Sequence, residues 1–176
     1  MASICVFCAS APGIDESYLR LAAEVGARIG DDGHRLVSGG GRVSMMGEVA
    51  AAARAHGART LGVIPQHLVD YEVADTDSDE LVVVETMRER KAVMDAHADA
   101  FLVLPGGIGT LEEFFEVWTA GSLGMHPKPV IVLDPEGFYT PLWQFVESMI
   151  ERGFVRTAAW EQLHRVSGVD AAFALV

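Results

Sequence analysis

Short apolar runs alternate with longer helix-like segments along this chain, and the alternation restricts the possible folds more than any other feature. The apolar runs occupy residues 3–8, 35–38, 60–64, 81–84, 100–104 and 129–133. Runs of this length separated by amphipathic helices are typical of a parallel sheet that is buried on both faces. The sequence therefore predicts an α/β fold, in which residues 1–176 form a single Rossmann-like, three-layer domain. We expect a mainly parallel sheet, covered by helices on both faces.

Helix start and stop signals divide the intervening segments. Asp15 is a suitable N-cap for a helix that ends near Asp31, before Gly33. Further helices are predicted over residues 43–56, 87–98, 110–123 and 141–152. Residues 70–80 carry six acids and no base, which predicts the least ordered part of the chain. The tail, residues 163–176, predicts a short strand and the start of a helix.

Small residues follow three of the predicted strands, at residues 9–10, 38–41 and 105–109. Ligands of doubly wound folds bind at the C-terminal ends of the strands. At residues 104–113 an apolar strand, a glycine turn and a helix N-terminus follow one another. Glycines allow the backbone to approach a ligand, and the first turn of a helix offers free N–H groups to an anion. We therefore expect a phosphate on this turn, with Glu112 and Glu113 beside it.

Composition excludes several partners. The formal net charge of −12 argues against a general nucleic-acid or anionic-membrane surface, which needs a basic patch. No apolar run approaches the roughly 18 residues that a membrane span requires. Met1 leads directly into a strand without a targeting pattern, so a cytoplasmic location is expected.

The chain has two cysteines, Cys5 and Cys8, in a C-x-x-C arrangement. They lie within a predicted strand, where their odd spacing places the side chains on opposite faces. A redox pair would begin a helix instead, and two cysteines are too few for a cysteine-based zinc site. We expect reduced core thiols and no metal.

Two common nucleotide-binding motifs are missing from the sequence. No G-x-x-x-x-G-K-[ST] run of a P-loop occurs. The G-x-G pairs at Gly39 and Gly107 are followed by Ser44 and Glu112 where a dinucleotide fingerprint has its third glycine. NAD and ATP enzymes are therefore disfavoured, whereas phosphate binding by a glycine turn is not.

Three sequence elements together resemble one enzyme family. Residues 105–113 (PGGIGTLEE) match a P-G-G-x-G-T-x-x-E pattern, and residues 87–91 (MRERK) resemble an M-x-x-R-K element. Residues 39–47 (GGGRVSMMG) resemble a G-G-G-x-x-G-x-M-G run. In this order they are similar to the LONELY GUY family of cytokinin riboside 5′-monophosphate phosphoribohydrolases, often labelled "possible lysine decarboxylase". The resemblance extends over residues 4–154.

The resemblance implies hydrolysis of the N-glycosidic bond in N6-substituted adenosine monophosphates, with AMP as a poorer substrate. The products are the free base and ribose 5-phosphate. Such cleavage passes through an oxocarbenium-like transition state that a carboxylate stabilises, so no cofactor and no metal are required. Two alternatives remain open: a broader nucleoside monophosphate nucleosidase, and a non-enzymatic nucleotide or molybdopterin carrier on the same fold.

The lysine decarboxylase label disagrees with the sequence. That reaction requires pyridoxal phosphate on a Schiff-base lysine. The only lysines are Lys91, inside the M-x-x-R-K element, and Lys128, between two prolines. We therefore expect no pyridoxal phosphate.

The resemblance assigns the catalytic roles to Glu113 and Arg90. Glu113 is the final acid of its motif, and Arg90 can bind phosphate or ribose through its guanidinium. We expect Glu116, on the same helix face, to hold Arg90 or the substrate. The remaining predicted substrate- and phosphate-binding residues are Ser10, Gly40, Gly41, Glu72, Lys91, Gly107, Ile108, Gly109, Thr110, Leu111, Glu112 and Thr119.

The helix over residues 111–123 is apolar nearly all round, with Phe114, Phe115, Val117 and Trp118. A helix without a polar face is covered on both sides. We expect a second subunit to cover it, and the resemblance likewise implies a homodimer with the sites near the subunit interface.

Overall fold

The computed structural model describes residues 1–69, 71 and 74–176. The strands in chain order are β1 (Ser3–Phe7), β2 (Arg35–Ser38), β3 (Thr60–Pro65), β4 (Glu80–Val84), β5 (Ala100–Val103), β6 (Val130–Leu133) and β7 (Leu163–Val166). The helices are α1 (Glu16–Asp31), α2 (Ser44–Ala55), α3 (Gln66–Val69), α4 (Met87–His97), α5 (Ile108–Ser122), α6 (Thr140–Glu151), α7 (Thr157–Glu161) and α8 (Val169–Phe173).

The seven strands form one sheet in the order β4-β3-β2-β1-β5-β6-β7. Every pair of neighbouring strands is parallel, so the sheet is parallel throughout rather than mainly parallel. The chain winds outward from β1 in one direction and then returns to β5 on its other side. The crevice between the ends of β1 and β5 is therefore a topological switch point, where folds of this kind bind ligands.

Helices cover both faces of the sheet, which confirms the predicted three-layer α/β fold. One apolar cluster contains residues of α1, α2 and α8, such as Val25, Val49 and Ala172. The second cluster contains residues of α4, α5 and α6, such as Phe114 and Val146. Residues alternate between the two clusters along each buried strand, as the pleat of a strand requires.

The two cysteines follow this alternation. Cys5 belongs to the cluster under α4 and α5, whereas Cys8 belongs to the cluster under α1 and α2. Both thiols are buried and free. The prediction of two separate core thiols is confirmed.

Local signals set the helix ends within two residues of the predictions. The Asp15 side chain accepts a hydrogen bond of 2.8 Å from the Ser17 N–H at the start of α1. Gly33, just beyond the end of α1, has a φ of 69°, which favours glycine. Thr86 and Glu89 form a capping box at the start of α4. The short helices α3 and α7 were not predicted, since four or five residues carry too little periodicity to be recognised.

Candidate active site

The turns after β1 and β5 lie side by side at the switch point. The Leu104 N–H donates to the Phe7 carbonyl over 2.9 Å, and the Ala9 N–H donates to the Pro105 carbonyl over 3.2 Å. A cavity of about 360 Å³ opens here. It is lined by Cys8, Ser10, Ala11, Met46, Leu68, Met87, Arg90, Gly107, Ile108, Gly109, Thr110, Glu112 and Glu113.

The first turn of α5 forms one wall of this cavity. Gly107 is the N-cap residue and provides no side-chain cap. An α-helix leaves the N–H groups of its first turn without intrahelical partners. In α5 these groups belong to Ile108, Gly109 and Thr110, and they face a cavity at the positive end of the helix dipole. This wall has the N–H donors and the helix-dipole end that the predicted phosphate site requires.

Gly106 is required for the shape of the turn. A Cβ atom at this position would lie 2.2 Å from the Thr110 hydroxyl oxygen and 2.6 Å from the Thr110 Cβ. Both atoms belong to a buried side chain that has little room to move. The second residue of the P-G-G element is therefore glycine for packing reasons, independently of any ligand.

Tyr139 holds the same turn from the other side. Its buried hydroxyl donates to the Leu104 carbonyl over 2.9 Å and accepts a hydrogen bond from the Gly106 N–H. Burial raises the pKa of Tyr139, so the phenol stays protonated. The Asp134 carboxylate orients this residue by accepting hydrogen bonds of 2.8 Å from the N–H groups of Phe138 and Tyr139. Tyr139 lies outside the three sequence elements and was not predicted as a site residue.

Arg90 forms a second wall and is only 6% exposed. Its Nη2 donates to the Gly39 carbonyl over 2.8 Å, and its Nε donates to the Val63 carbonyl over 3.1 Å. A Cβ atom on Gly39 would lie 1.9 Å from Nη2. The glycine turn after β2 therefore provides the space and the acceptor that hold the guanidinium in place.

Glu116 does not hold Arg90, contrary to one of our two expectations for this acid. The Lys91 ammonium donates to the carboxylates of both Glu112 and Glu116. Burial alone would lower the pKa of Lys91, but the two carboxylates outweigh that effect, and the pKa is raised. The three side chains form a charged cluster between α4 and α5.

Glu113 lies between two cavities. It is half-buried and lines both the cavity at the glycine turn and an adjoining one of about 570 Å³. The adjoining cavity extends along α5 past Phe115 and Thr119 to His126. The acid is thus placed beside the first turn of α5, with open volume on its other side.

The structure brings most of the predicted site residues together. Ser10, Arg90, Glu112, Glu113 and the residues from Gly107 to Thr110 line the first cavity. Lys91 and Thr119 line the adjoining one. Gly40 and Gly41 follow Gly39 in the turn that holds Arg90, whereas Leu111 packs against the core. Glu72 lies outside the described residues.

The helix α5 has one covered and one exposed face in the single chain. Phe114, Val117 and Trp118 are buried, but Glu112, Glu116 and Thr119 are exposed. The expectation that a second subunit covers the remaining face of this helix stays a prediction.

Comparison with known proteins agrees with the elements described above. Residues 46–176 match a family model described as "Possible lysine decarboxylase". The chain is 52% identical over 170 residues to the cytokinin riboside 5′-monophosphate phosphoribohydrolase of Mycobacterium marinum, covering 97% of this chain and 90% of that protein. It is 45% identical over 152 residues to the enzyme LOG of Oryza sativa, covering 86% of this chain and 63% of that protein.

The chain belongs to the LONELY GUY family. Solved structures share the fold of this LONELY GUY protein at lower identity. A molybdenum cofactor binding protein from Rippkaea orientalis has a TM-score of 0.73 at 22% identity, covering 99% of this chain and 94% of that one. The molybdenum cofactor carrier protein of Chlamydomonas reinhardtii has a TM-score of 0.73 at 21% identity, covering 98% and 94%. At these identities the likeness concerns the fold alone.

The lysines of this family member do not fit the decarboxylase description. Lys91 is held by Glu112 and Glu116, and Lys128 donates to the Asp95 carboxylate over 2.7 Å. Neither amine lines the cavity at the glycine turn. Within the described part of the chain, no group of three or more His, Cys, Asp or Glu side chains is arranged to hold a metal ion. No helix there is long and apolar enough to cross a membrane.

Proposed function

We propose that this protein hydrolyses the N-glycosidic bond of cytokinin riboside 5′-monophosphates and releases the free base and ribose 5-phosphate. One observation carries the proposal. The Glu113 carboxylate lines the same cavity as the first turn of α5 and the Arg90 guanidinium. A helix N-terminus that can bind an anion, an acid and a fixed cation at one switch point are the groups that cleavage of the N-glycosidic bond of a nucleoside monophosphate requires. The family relatives described above, whose names state this activity, support the same conclusion.

In the proposed reaction the phosphate group anchors the substrate in the cavity. Its oxygens accept hydrogen bonds from the N–H groups of Ile108, Gly109 and Thr110, which places the ribose against Glu113. Binding energy from this remote group lowers the barrier at the sugar carbon only if the turn is rigid. Tyr139 and Gly106 supply that rigidity.

The C1′–N9 bond breaks and its electron pair leaves with the base, so positive charge develops on the ribose. The Glu113 carboxylate stabilises this charge and accepts a proton from the water whose oxygen bonds to C1′. The departing base nitrogen takes up a proton from solvent, Glu113 returns its proton to solvent, and the products are the neutral base and ribose 5-phosphate. Glu113, which lines the cavity, acts in the bond cleavage and in the addition of water, and no step needs a redox partner.

Arg90 has donors to spare for the substrate. A guanidinium carries five N–H groups, and two of them bind the carbonyls of Gly39 and Val63. Nη1 donates a weak hydrogen bond to the Met87 sulfur over 3.7 Å, and the remaining N–H groups have no other partner among the described residues. We propose that these donors bind a phosphate or ribose oxygen in a geometry fixed by the two carbonyls.

A homodimer is part of the proposal, with α4 and α5 at the interface. The apolar residues Leu123 and Met125, at the end of α5, are 61% and 74% exposed in the single chain. They line the open cavity that also contains Glu113. Covering this face with a second copy would bury the apolar surface and enclose the site. We further propose a cytoplasmic location, which the two free thiols support.

The experiment offers the protein three compounds: N6-isopentenyladenosine 5′-monophosphate, AMP, and the isopentenyl riboside without phosphate. We expect equimolar base and ribose 5-phosphate from the first compound and slower release from AMP. We expect kcat/KM for the riboside to be lower by about a hundredfold or more, because the riboside lacks the phosphate group that anchors the substrate. Chromatography of the free bases measures all three rates.

The alternatives predict different results in the same assay. A broader nucleosidase would release adenine from AMP as fast as isopentenyladenine from its nucleotide. A carrier would bind the nucleotides tightly and release no base, which would contradict the proposed hydrolysis.

A further inference from the structure

An ion pair between a buried carboxylate and a partly exposed guanidinium lies behind the glycine turn that holds Arg90. The Asp75 carboxylate, on a residue 3% exposed, receives Nη1 of Arg54 at 2.7 Å and Nη2 at 3.3 Å. It also accepts hydrogen bonds from the Ser78 hydroxyl at 3.1 Å and from the Asp77 N–H at 3.3 Å. Its charge is therefore satisfied by four donors, two of them from a bidentate guanidinium.

Such an ion pair adds little net free energy to the stability of a fold. Desolvation of the two charges offsets most of their attraction, and apolar residues of similar volume often stabilise as well or better. A bidentate pair has a defined geometry, so it fixes two chain segments in one relative position. Here the segments are α2, which carries Arg54, and the loop that precedes β4.

The backbone of this loop is joined to the glycine turn. The Asp75 N–H donates to the Gly40 carbonyl over 2.8 Å, and Ala74 forms an antiparallel bridge with Gly41. Gly40 has a φ of 72°, and a Cβ atom there would approach the Val63 backbone nitrogen to 3.1 Å. The turn is therefore packed tightly against β3, and Asp75 holds it in that position.

The adjacent residue completes the connection to the active site. The Gly39 carbonyl is one of the two acceptors that hold the Arg90 guanidinium, and the Val63 carbonyl is the other. A contiguous series of contacts thus runs from Arg54 through Asp75 and Gly40 to Gly39 and Arg90.

We propose that Arg54 and Asp75 are positioning residues for Arg90: the ion pair fixes the glycine turn after β2, and the turn fixes the guanidinium. The catalytic part of this inference rests on the proposed function of Arg90. The positional part concerns the arginine itself and is measured without any substrate.

The principal test uses a double variant, Arg54→Leu with Asp75→Asn, which removes the pair without leaving a lone buried charge. Its matched control is Arg28→Leu with Asp32→Asn, which removes the partly exposed ion pairs of Arg28 with Asp32 and Asp170 and changes none of the residues that connect Arg54 to Arg90. Hydrogen exchange of the Arg90 Nε–H is followed by ¹⁵N NMR, with the signal identified by its loss in Arg90→Lys. We expect exchange about tenfold faster in the double variant than in the wild type, and unchanged exchange in the control.

Kinetics provide the second readout. We expect kcat of the double variant to fall about tenfold or more while KM changes less than about threefold, since a misplaced group weakens the transition state more than the ground state. A purely structural pair would lower thermal stability and leave kcat of the folded fraction unchanged. Should the double variant not fold, Arg54→Lys replaces it, because lysine keeps the charge but loses the bidentate geometry.

The outcomes separate the two claims. Unchanged Arg90 Nε–H exchange in a folded variant of the pair would overturn the positioning role, whatever the activity. If the wild type releases no base but the Arg90 Nε–H still exchanges faster in the double variant, the positioning role is supported. The proposed reaction is then contradicted.

Discussion

Acids of similar sequence context have different environments on α5. The carboxylates of Glu112 and Glu116 are both engaged by Lys91, whereas Glu113 faces the cavity at the glycine turn. Glu112 and Glu116 are four residues apart, so one ammonium group reaches both, whereas Glu113 is turned by about 100° around the helix axis from Glu112. Glu112 and Glu116 stabilise the α4–α5 contact, and Glu113 is the acid to which the proposed reaction assigns the chemistry.

Replacement of Glu112 by Gln tests this division. The variant removes one of two carboxylates from Lys91 and leaves Glu113 in place. Because the pair is partly exposed, we expect a loss of about 0.5 to 1 kcal/mol in the free energy of unfolding and less than about a fivefold change in kcat/KM. Denaturant unfolding and steady-state base release measure the two quantities. A loss of turnover comparable with that of a Glu113 variant would contradict the assignment.

The two core thiols should be unreactive in the native protein. Burial raises the pKa of both Cys5 and Cys8, so neither forms thiolate near pH 8. We expect iodoacetamide to modify them only after unfolding, as measured by mass spectrometry. Above the ordinary thiol pKa of 9.0 the unfolded chain loses these protons while the native protein keeps them, so stability falls as pH rises. Rapid native alkylation, or a Cys5–Cys8 disulfide, would contradict this account.

At the scale of the element, the proposed phosphate site is one strand–turn–helix unit, β5 to α5, whose turn is held by Tyr139 from the segment between β6 and α6. The sequence was sufficient to predict β5, the glycine turn and α5, because the strand, the glycines and the helix are each local signals. It was insufficient to predict Tyr139, which reaches the turn from 35 positions away. The pairing of Glu116 with Lys91 was likewise missed, because helix periodicity does not show which residue of a neighbouring helix comes close.

Replacement of Tyr139 by Phe tests the support of the turn. The change removes the bond to the Leu104 carbonyl and leaves the Gly106 N–H without its acceptor. We expect a loss of about 1 to 3 kcal/mol in stability and a KM for the nucleotide raised about fivefold. The control is Tyr18→Phe, at a half-buried tyrosine that packs against Phe138. An unchanged KM in a folded Tyr139→Phe protein would remove this residue from the site.

Replacement of Gly39 by Ala tests the other wall. The added methyl group would lie 1.9 Å from Nη2 of Arg90, so the guanidinium must move. We expect kcat/KM to fall about a hundredfold, as misplacement of a catalytic group by about 1 Å typically causes. The control is Gly168→Ala, where the methyl group meets no neighbour within 4 Å. Equal activities of the two variants would contradict the role given to this turn.

At the scale of the whole molecule, the order of the strands explains why the site is where it is. The reversal of winding between β1 and β5 creates the crevice. The turns after these two strands line it, and the glycine turn after β2 holds Arg90 beside it. The alternation of apolar runs and helices was enough to predict this architecture. The extent to which α5 is exposed was not predictable, because its sequence pattern does not separate burial by the sheet from burial by a second subunit.

Replacement of Leu123 by Glu tests the proposed dimer. This residue is 61% exposed at the end of α5, and a charge there would oppose burial against a second copy. We expect the wild type to sediment as a dimer and the variant as a monomer in analytical ultracentrifugation. Phe154→Glu, at an 81% exposed position beyond α6, is the control and should remain dimeric. A monomeric wild type would contradict the interface.

The central claim is that the Glu113 carboxylate performs the chemistry next to a phosphate site that binds independently of it. The most direct measurement compares wild type and Glu113→Gln for base release from N6-isopentenyladenosine 5′-monophosphate and, in parallel, for AMP binding by calorimetry. The amide keeps the size of the side chain but cannot carry negative charge. We predict that turnover falls at least about a thousandfold while the AMP dissociation constant changes less than about threefold. Undiminished turnover in the variant would contradict the account.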